Sequence, residues 1–116
     1  MIQRGEIWVA NLNPNRGAEV GKVRPVLVIQ SDRLSEAVTQ TVVVLPVTAQ
    51  VRPGLRRIRV TIPARDRLRR DCQIMIDQPR TLDRRRLGEG PLAKLTPEEL
   101  LAVERSLLAV MGVEPA

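Results

Sequence analysis

Residues 4–30, RGEIWVANLNPNRGAEVGKVRPVLVIQ, constrain the fold more tightly than any other part of the chain. Two apolar stretches too short for ordinary helices flank a basic loop that contains Pro14, Gly17 and Gly21. Residues 5–10 alternate, with Ile7 and Val9 on one face and Glu6, Trp8 and Ala10 on the other, which predicts a strand. Val26 to Ile29 is a continuous apolar run and predicts a second, buried strand. Arg24 precedes Pro25, so its backbone is biased to the extended region. The arrangement holds a guanidinium at the mouth of a sheet, where an anion can dock. Loops of this length in small domains are usually functional.

Further along, Ser31 to Glu36 predicts one helical turn capped by Ser31 or Asp32. Thr41 to Thr48 is rich in β-branched residues and predicts a strand. Pro46 lacks a donor, so that strand is expected at an edge or kinked there, with Thr48 emerging just beyond. Val51 to Gly54 reads as a turn. Leu55 to Ile62 alternates, with Ile58, Val60 and Ile62 inward and Arg57, Arg59 and Thr61 outward. Cys72 to Asp77 predicts another strand, and residues 81–87, TLDRRRL, a short turn or single helical turn.

The C-terminal part carries the clearest helix. Thr96 caps, Pro97 occupies the first turn, and Glu99 completes a capping box. Leu100, Val103, Leu107 and Val110 follow at helical spacing, and Gly112 ends the run. Five or six short strands with one terminal amphipathic helix fit a small, strongly curved barrel. No repeat, linker or low-complexity tract divides the chain, so residues 1–116 are expected to be one domain.

Composition narrows the chemistry. The chain has no histidine, which removes the usual neutral-pH acid and base. Trp8 is its only aromatic residue, so the core must be Val, Leu and Ile. The single cysteine, Cys72, forms no internal disulfide, and ordinary zinc sites are excluded. No apolar run approaches the roughly 20 residues of a membrane span, and no apolar signal core follows Arg4 and Glu6. A soluble, cytoplasmic protein is expected. Residues 52–86 hold 12 of the 19 basic side chains against four acidic ones, a local net charge of +8 beside −2 for the remainder. Such a basic middle suggests a polyanion-binding face.

The sequence resembles the MazF/PemK family of toxin endoribonucleases. The likeness opens on residues 4–30, continues through VVVLPVTAQ at 42–50 and DCQIMIDQPRTLDRRRL at 71–87, and ends in the helix beginning LTPEEL. It covers nearly the whole chain in order. The resemblance implies an SH3-like barrel with a C-terminal helix, usually a homodimer. It implies a nuclease that needs no metal or cofactor and cuts single-stranded RNA at short specific sequences. It also implies a cognate antitoxin whose disordered tail covers the RNA groove. Carried onto this chain, catalysis would fall to Arg24 and Thr48. Gln78 would line the RNA site, and Glu19 would stand near the chemistry. Val20, Cys72 and Pro79 depart from the family pattern beside the regions expected to touch bases.

Metal-independent cleavage uses the strand's own 2′-hydroxyl as nucleophile and leaves a 2′,3′-cyclic phosphate and a 5′-hydroxyl. Arg24 suits stabilisation of the phosphoryl oxygens, because its planar fork can donate two hydrogen bonds. A threonine hydroxyl can hold a nonbridging oxygen or orient the 2′-hydroxyl. Proton transfer is open at this stage: Arg24 suits the acid, and Glu19 or another group the base. With few rings for stacking, base reading would fall to Arg16, Arg52, Arg56, Arg57, Gln78, Arg80 and Arg86. Trp8 reads as packing or interface, and Cys72 as a small buried residue. Two rival functions share this outline: a CcdB-like gyrase poison and a non-catalytic basic barrel that binds nucleic acid. The tail MGVEPA has no tryptophan, which argues against the first.

Overall fold

The computed structural model describes residues 2–37, 40–55 and 58–113. Strand β3 (Thr41–Thr48) organises the sheet, because three other strands pair with it. On one side lies β2 (Val23–Val28), which pairs in turn with β1 (Glu6–Asn11). The opposite side is shared by β6 (Arg80–Asp83), against Thr41–Val44, and β5 (Cys72–Met75), against Val47–Thr48. Strand β4 (Arg59–Ile62) adds to β5, and the short β7 (Ala93–Lys94) to β1. All these pairings are antiparallel, and the bent sheet forms a half-barrel. A short helix, α1 (Asp32–Ala37), follows β2, and a longer one, α2 (Pro97–Val110), closes the chain.

Side-chain alternation sorts the strands into two cores. Ile7, Leu27 and Leu45 lie in register across three strands and join Val47, Ile62, Ile74 and Val103 on one face. Helix α2 covers that face through the fully buried Val103, with Leu100 and Leu107 packed beside it. The other face collects Ala10, Leu12, Val26, Val28, Val42, Val44 and Leu82, with Trp8, Val20 and Leu87 against it. Both faces are therefore covered, and for that reason Ala10 is as buried as Ile7. Trp8 is a packing residue: its indole nitrogen donates to Glu6 Oε1 at 3.2 Å. Gly90 lies flat against its ring, and a Cβ there would stand 2.4 Å from Trp8 Cδ2.

The capping box of α2 forms as its sequence predicts. Glu99 N donates to Thr96 Oγ1 at 3.2 Å, and Thr96 N to Glu99 Oε1 at 2.9 Å. Val110, expected on the apolar face, is 38% exposed instead. Residues 81–87 also differ from expectation. Their first part belongs to β6, which buries Leu82 opposite Val42, and only Arg84–Arg86 form a 3-10 turn, capped by Asp83. Strand β2 begins at Val23 rather than Val26, and β5 ends at Met75, where the chain turns.

Pro46 lies inside the central strand rather than on a sheet edge. Val43 accepts from Ile29 on the β2 side, so alternation points position 46 to the opposite side. There the partner changes from β6, ending at Val44↔Arg80, to β5, beginning at Val47↔Ile74. No neighbour demands a donor at that point. By the same alternation Pro25 faces β3 just past Val26↔Pro46, where that ladder has ended. The two prolines mark where β2 and β3 part.

Candidate functional site

Beyond Val26↔Pro46, β2 continues along β1, with Arg24 opposite Ala10, while β3 swings to β5, with Thr48 opposite Gln73. The divergence leaves Arg24 and Thr48 on the two banks of one cleft. That cleft, about 400 Å³, is also lined by Glu19, Gln50, Arg59 and Gln78. A second recess of about 410 Å³ adjoins it on the side of Lys22 and Arg70, and a third of similar size lies between Glu19, Gln78 and Arg80. Four residues expected at the site therefore meet in one place: Arg24, Thr48, Glu19 and Gln78.

Arg24 is half-buried, and burial lowers its guanidinium below the ordinary arginine value. Its Nε donates to the Gly21 carbonyl at 3.0 Å, which steers the two Nη groups toward the cleft. Thr48 Oγ1 accepts from Gln50 N at 3.1 Å, leaving the hydroxyl proton to donate. Gln78 holds the loop through its oxygen, which accepts from Val20 N at 3.0 Å. Its amide Nε2 has no partner among the described residues. Glu19 is exposed, and its Oε1 accepts from Arg16 N at 2.7 Å, closing a tight turn at the loop tip. Gly21 lies close under the loop's own asparagines: a Cβ there would stand 2.3 Å from Asn15 Oδ1 and displace that side chain.

The other expected RNA contacts have different surroundings. Arg80 donates from Nη1 to the carbonyls of Leu12 at 2.8 Å and Val20 at 3.3 Å, and from Nη2 to that of Pro14 at 3.4 Å. Arg86 Nη1 reaches the carbonyls of Asn11 and Asn13. These two arginines thus brace the 11–22 loop against β6 and the turn after it. Arg16 is exposed and lines none of these three clefts. Arg52 is exposed, with Nη2 on Gln50 Oε1 at 3.2 Å. Arg56 and Arg57 lie outside the described residues.

Two residues of the site escaped the sequence reading. Gln73 is fully buried and grips the backbone of Arg52 from both sides. Arg52 N donates to its Oε1 at 2.9 Å, and its Nε2 donates to the Arg52 carbonyl at 3.2 Å. That grip fixes the segment running from Thr48 through Gln50. Arg59, expected to face outward from β4, lies in the cleft wall. Cys72 is buried, and burial, reinforced by Asp71, pushes its thiol up, as suits a packing residue. No group of three or more Cys, Asp and Glu side chains among the described residues converges as a metal site. No helix among them is long and apolar enough to cross a membrane.

Known structures share this architecture. MazF from Deinococcus radiodurans superposes with a TM-score of 0.81 at 26% identity over 96% of each chain. The same organism's MazE–MazF complex gives 0.75 at 27% identity over 97% of each. The Mycobacterium tuberculosis toxin MazF-mt6, at 23% identity over 94% of this chain and 98% of that one, shares the fold with a TM-score of 0.75. Residues 3–111 match the model of the PemK-like, MazF-like toxins of type II toxin–antitoxin systems. Fold and sequence thus agree, and this chain belongs to the PemK/MazF toxin family, which is known for endoribonucleases.

Proposed function

We propose that this protein is the toxin of a toxin–antitoxin pair, a sequence-selective endoribonuclease that cuts single-stranded RNA without a metal ion. The observation that carries the reading is the cleft that joins Arg24 to Thr48, with the guanidinium tethered, among the described residues, at Nε alone. In-line attack of the 2′-oxygen on phosphorus builds negative charge on the nonbridging oxygens. Preformed donors aimed at that charge are the main source of acceleration available to such a site. The Nη groups of Arg24 supply two such donors, and the Thr48 hydroxyl supplies a third or orients the 2′-hydroxyl.

The proton inventory follows from burial. A guanidinium whose charged form is desolvated releases its proton more readily than an exposed one. Arg24 is therefore the better candidate for protonating the departing 5′-oxygen. Glu19 borders the same cleft with one carboxylate oxygen bound to its own loop, which leaves the second to accept the 2′-proton. Gln78, whose amide nitrogen has no partner among the described residues, would read a base. A cognate antitoxin would inhibit by laying an acidic, extended segment along this cleft, and the working form would be a homodimer.

The decisive experiment is cleavage of a long defined RNA in excess EDTA, with 5′ ends mapped and Arg24→Ala beside the parent. Discrete cuts at a recurring short motif, with 5′-hydroxyl ends, are expected from the parent. The variant should be slower by at least about 10²-fold while losing no more than about 1.5 kcal/mol of stability with its bond to the Gly21 carbonyl. Intact RNA from a folded parent would overturn the reading.

A further inference from the structure

The arginines of this chain divide by what their donors already hold. Arg80 and Arg86 donate to loop carbonyls, Arg65 is paired bidentately with Glu99, and Arg85 with Asp83. Arg59 is different. Its Nε is buried and has no partner among the described residues. Among the described residues its Nη1 makes two long contacts, both 3.5 Å, to the Gln50 carbonyl and to Gln73 Oε1. Those lengths lie beyond ordinary hydrogen-bond distances. A buried donor left unmade costs free energy that an arriving acceptor recovers. Arg59 also lies in the cleft that holds Arg24 and Thr48.

We infer that Arg59 is a phosphate-binding residue, which takes the strand phosphate next to the one held by Arg24 and Thr48. The inference rests on the cleft being a nucleic-acid site, as proposed above. The cleft is larger than one phosphate, and a single strand entering it must bring successive phosphates with it. Two guanidiniums from different strands, β2 and β4, offer two anion positions rather than one. Gln73 acts as the positioning residue: fully buried, it faces Thr61 across the β4–β5 ladder and bonds its hydroxyl at 3.1 Å. It thereby holds Arg59 and the Arg52 backbone in a common frame. The weak tether lets the guanidinium turn onto an anion while its stem stays in the wall.

The test is binding of a random-sequence 2′-O-methyl oligonucleotide, which cannot be cleaved, over a series of salt concentrations. Arg59→Gln should bind about tenfold more weakly. Its log–log salt slope should be shallower by about 0.7 to 1. Arg59→Lys should restore the slope and only part of the affinity, because a point charge replaces a planar fork. Unchanged affinity and slope in a folded Arg59→Gln protein would overturn the inference. Should that variant fail to fold, the Nε–H resonance of Arg59 in the parent decides. It should move on saturation with the oligonucleotide, and a resonance that stays put while that of Arg24 moves would also overturn it. A parent that binds through Arg59 yet cuts no RNA keeps this inference and ends the nuclease reading. A parent that cuts RNA but is indifferent to Arg59 does the reverse.

Discussion

Thr48 and Gln73 face each other across one rung of the sheet and show how much a single side chain can decide here. Thr48→Val keeps the shape and strand preference of the residue and removes only the hydroxyl. The Gln50 amide that loses its acceptor belongs to an exposed residue and can turn to water, so stability should change by no more than about 0.5 kcal/mol. Cleavage should fall by about 10²-fold, and a rate equal to the parent's would remove Thr48 from the mechanism. Gln73→Leu is the opposite case. It strands the Arg52 N–H and carbonyl and should cost about 1–3 kcal/mol, read as a lower denaturant midpoint at unchanged slope. Arg24 and Thr48 were legible because a family motif surrounds them. Gln73 was not, because an amide within CQIM reads as the solvent side of an alternating strand, whereas this sheet is covered on both faces. Arg59 was misplaced for a related reason. Alternation correctly puts it opposite Val60, but the outward side of β4 is the wall of the cleft rather than open solvent.

At the level of elements, the 11–22 loop is the part that the rest of the molecule works to hold. Arg80, Arg86 and Gln78 reach it from β6 and its flanking turns, and Arg24 in turn leans on its Gly21 carbonyl. Arg80→Met keeps a long apolar stem and removes the donors to Leu12, Val20 and Pro14. It should destabilise by about 1–3 kcal/mol and slow cleavage more than that loss explains, because the loop that steers Arg24 loses its brace. Cleavage at the parent rate in an Arg80→Met protein that is measurably less stable would show that the loop needs no such support. The loop was predicted at these residues from Pro14, Gly17 and Gly21, but its anchors were not. An arginine 60 residues away in sequence carries no local sign that its partners will be carbonyls. The reading of 81–87 failed at the same scale. A strand of four residues has too few alternations to outvote three consecutive arginines, and only pairing with Thr41–Val44 reveals it.

Over the whole molecule, the fold was legible because each apolar run is strand-length and the terminal helix announces its own ends. The two-core arrangement was not, since period-two patterning is the same whether one face or both are covered. What locks the helix to the half-barrel at its start is ionic: Arg65, from the loop after β4, pairs bidentately with Glu99 in the first turn of α2. The hydrogen bonds from Arg65, followed by that from Thr96 N, hold the Glu99 carboxyl below its ordinary value. A carboxylate depressed on folding contributes stability that is present above its unfolded value, about 4.3, and is lost as pH falls through the lower folded one. Stability should therefore drop as pH falls below about 4.3, by more in the parent than in Glu99→Gln. The amide variant can still cap the helix but has no charge to lose. Asp83 is likewise held down, to about 2, by its hydrogen bonds from Arg85. It titrates with the same sign in both proteins and cancels in the difference. Urea unfolding at a series of pH values measures that difference directly. Two curves that run parallel from pH 6 down to about 3 would mean that Glu99 is no more depressed folded than unfolded, and that the Arg65–Glu99 pair does not lock the helix, which is then held by the packing of Leu100, Val103 and Leu107.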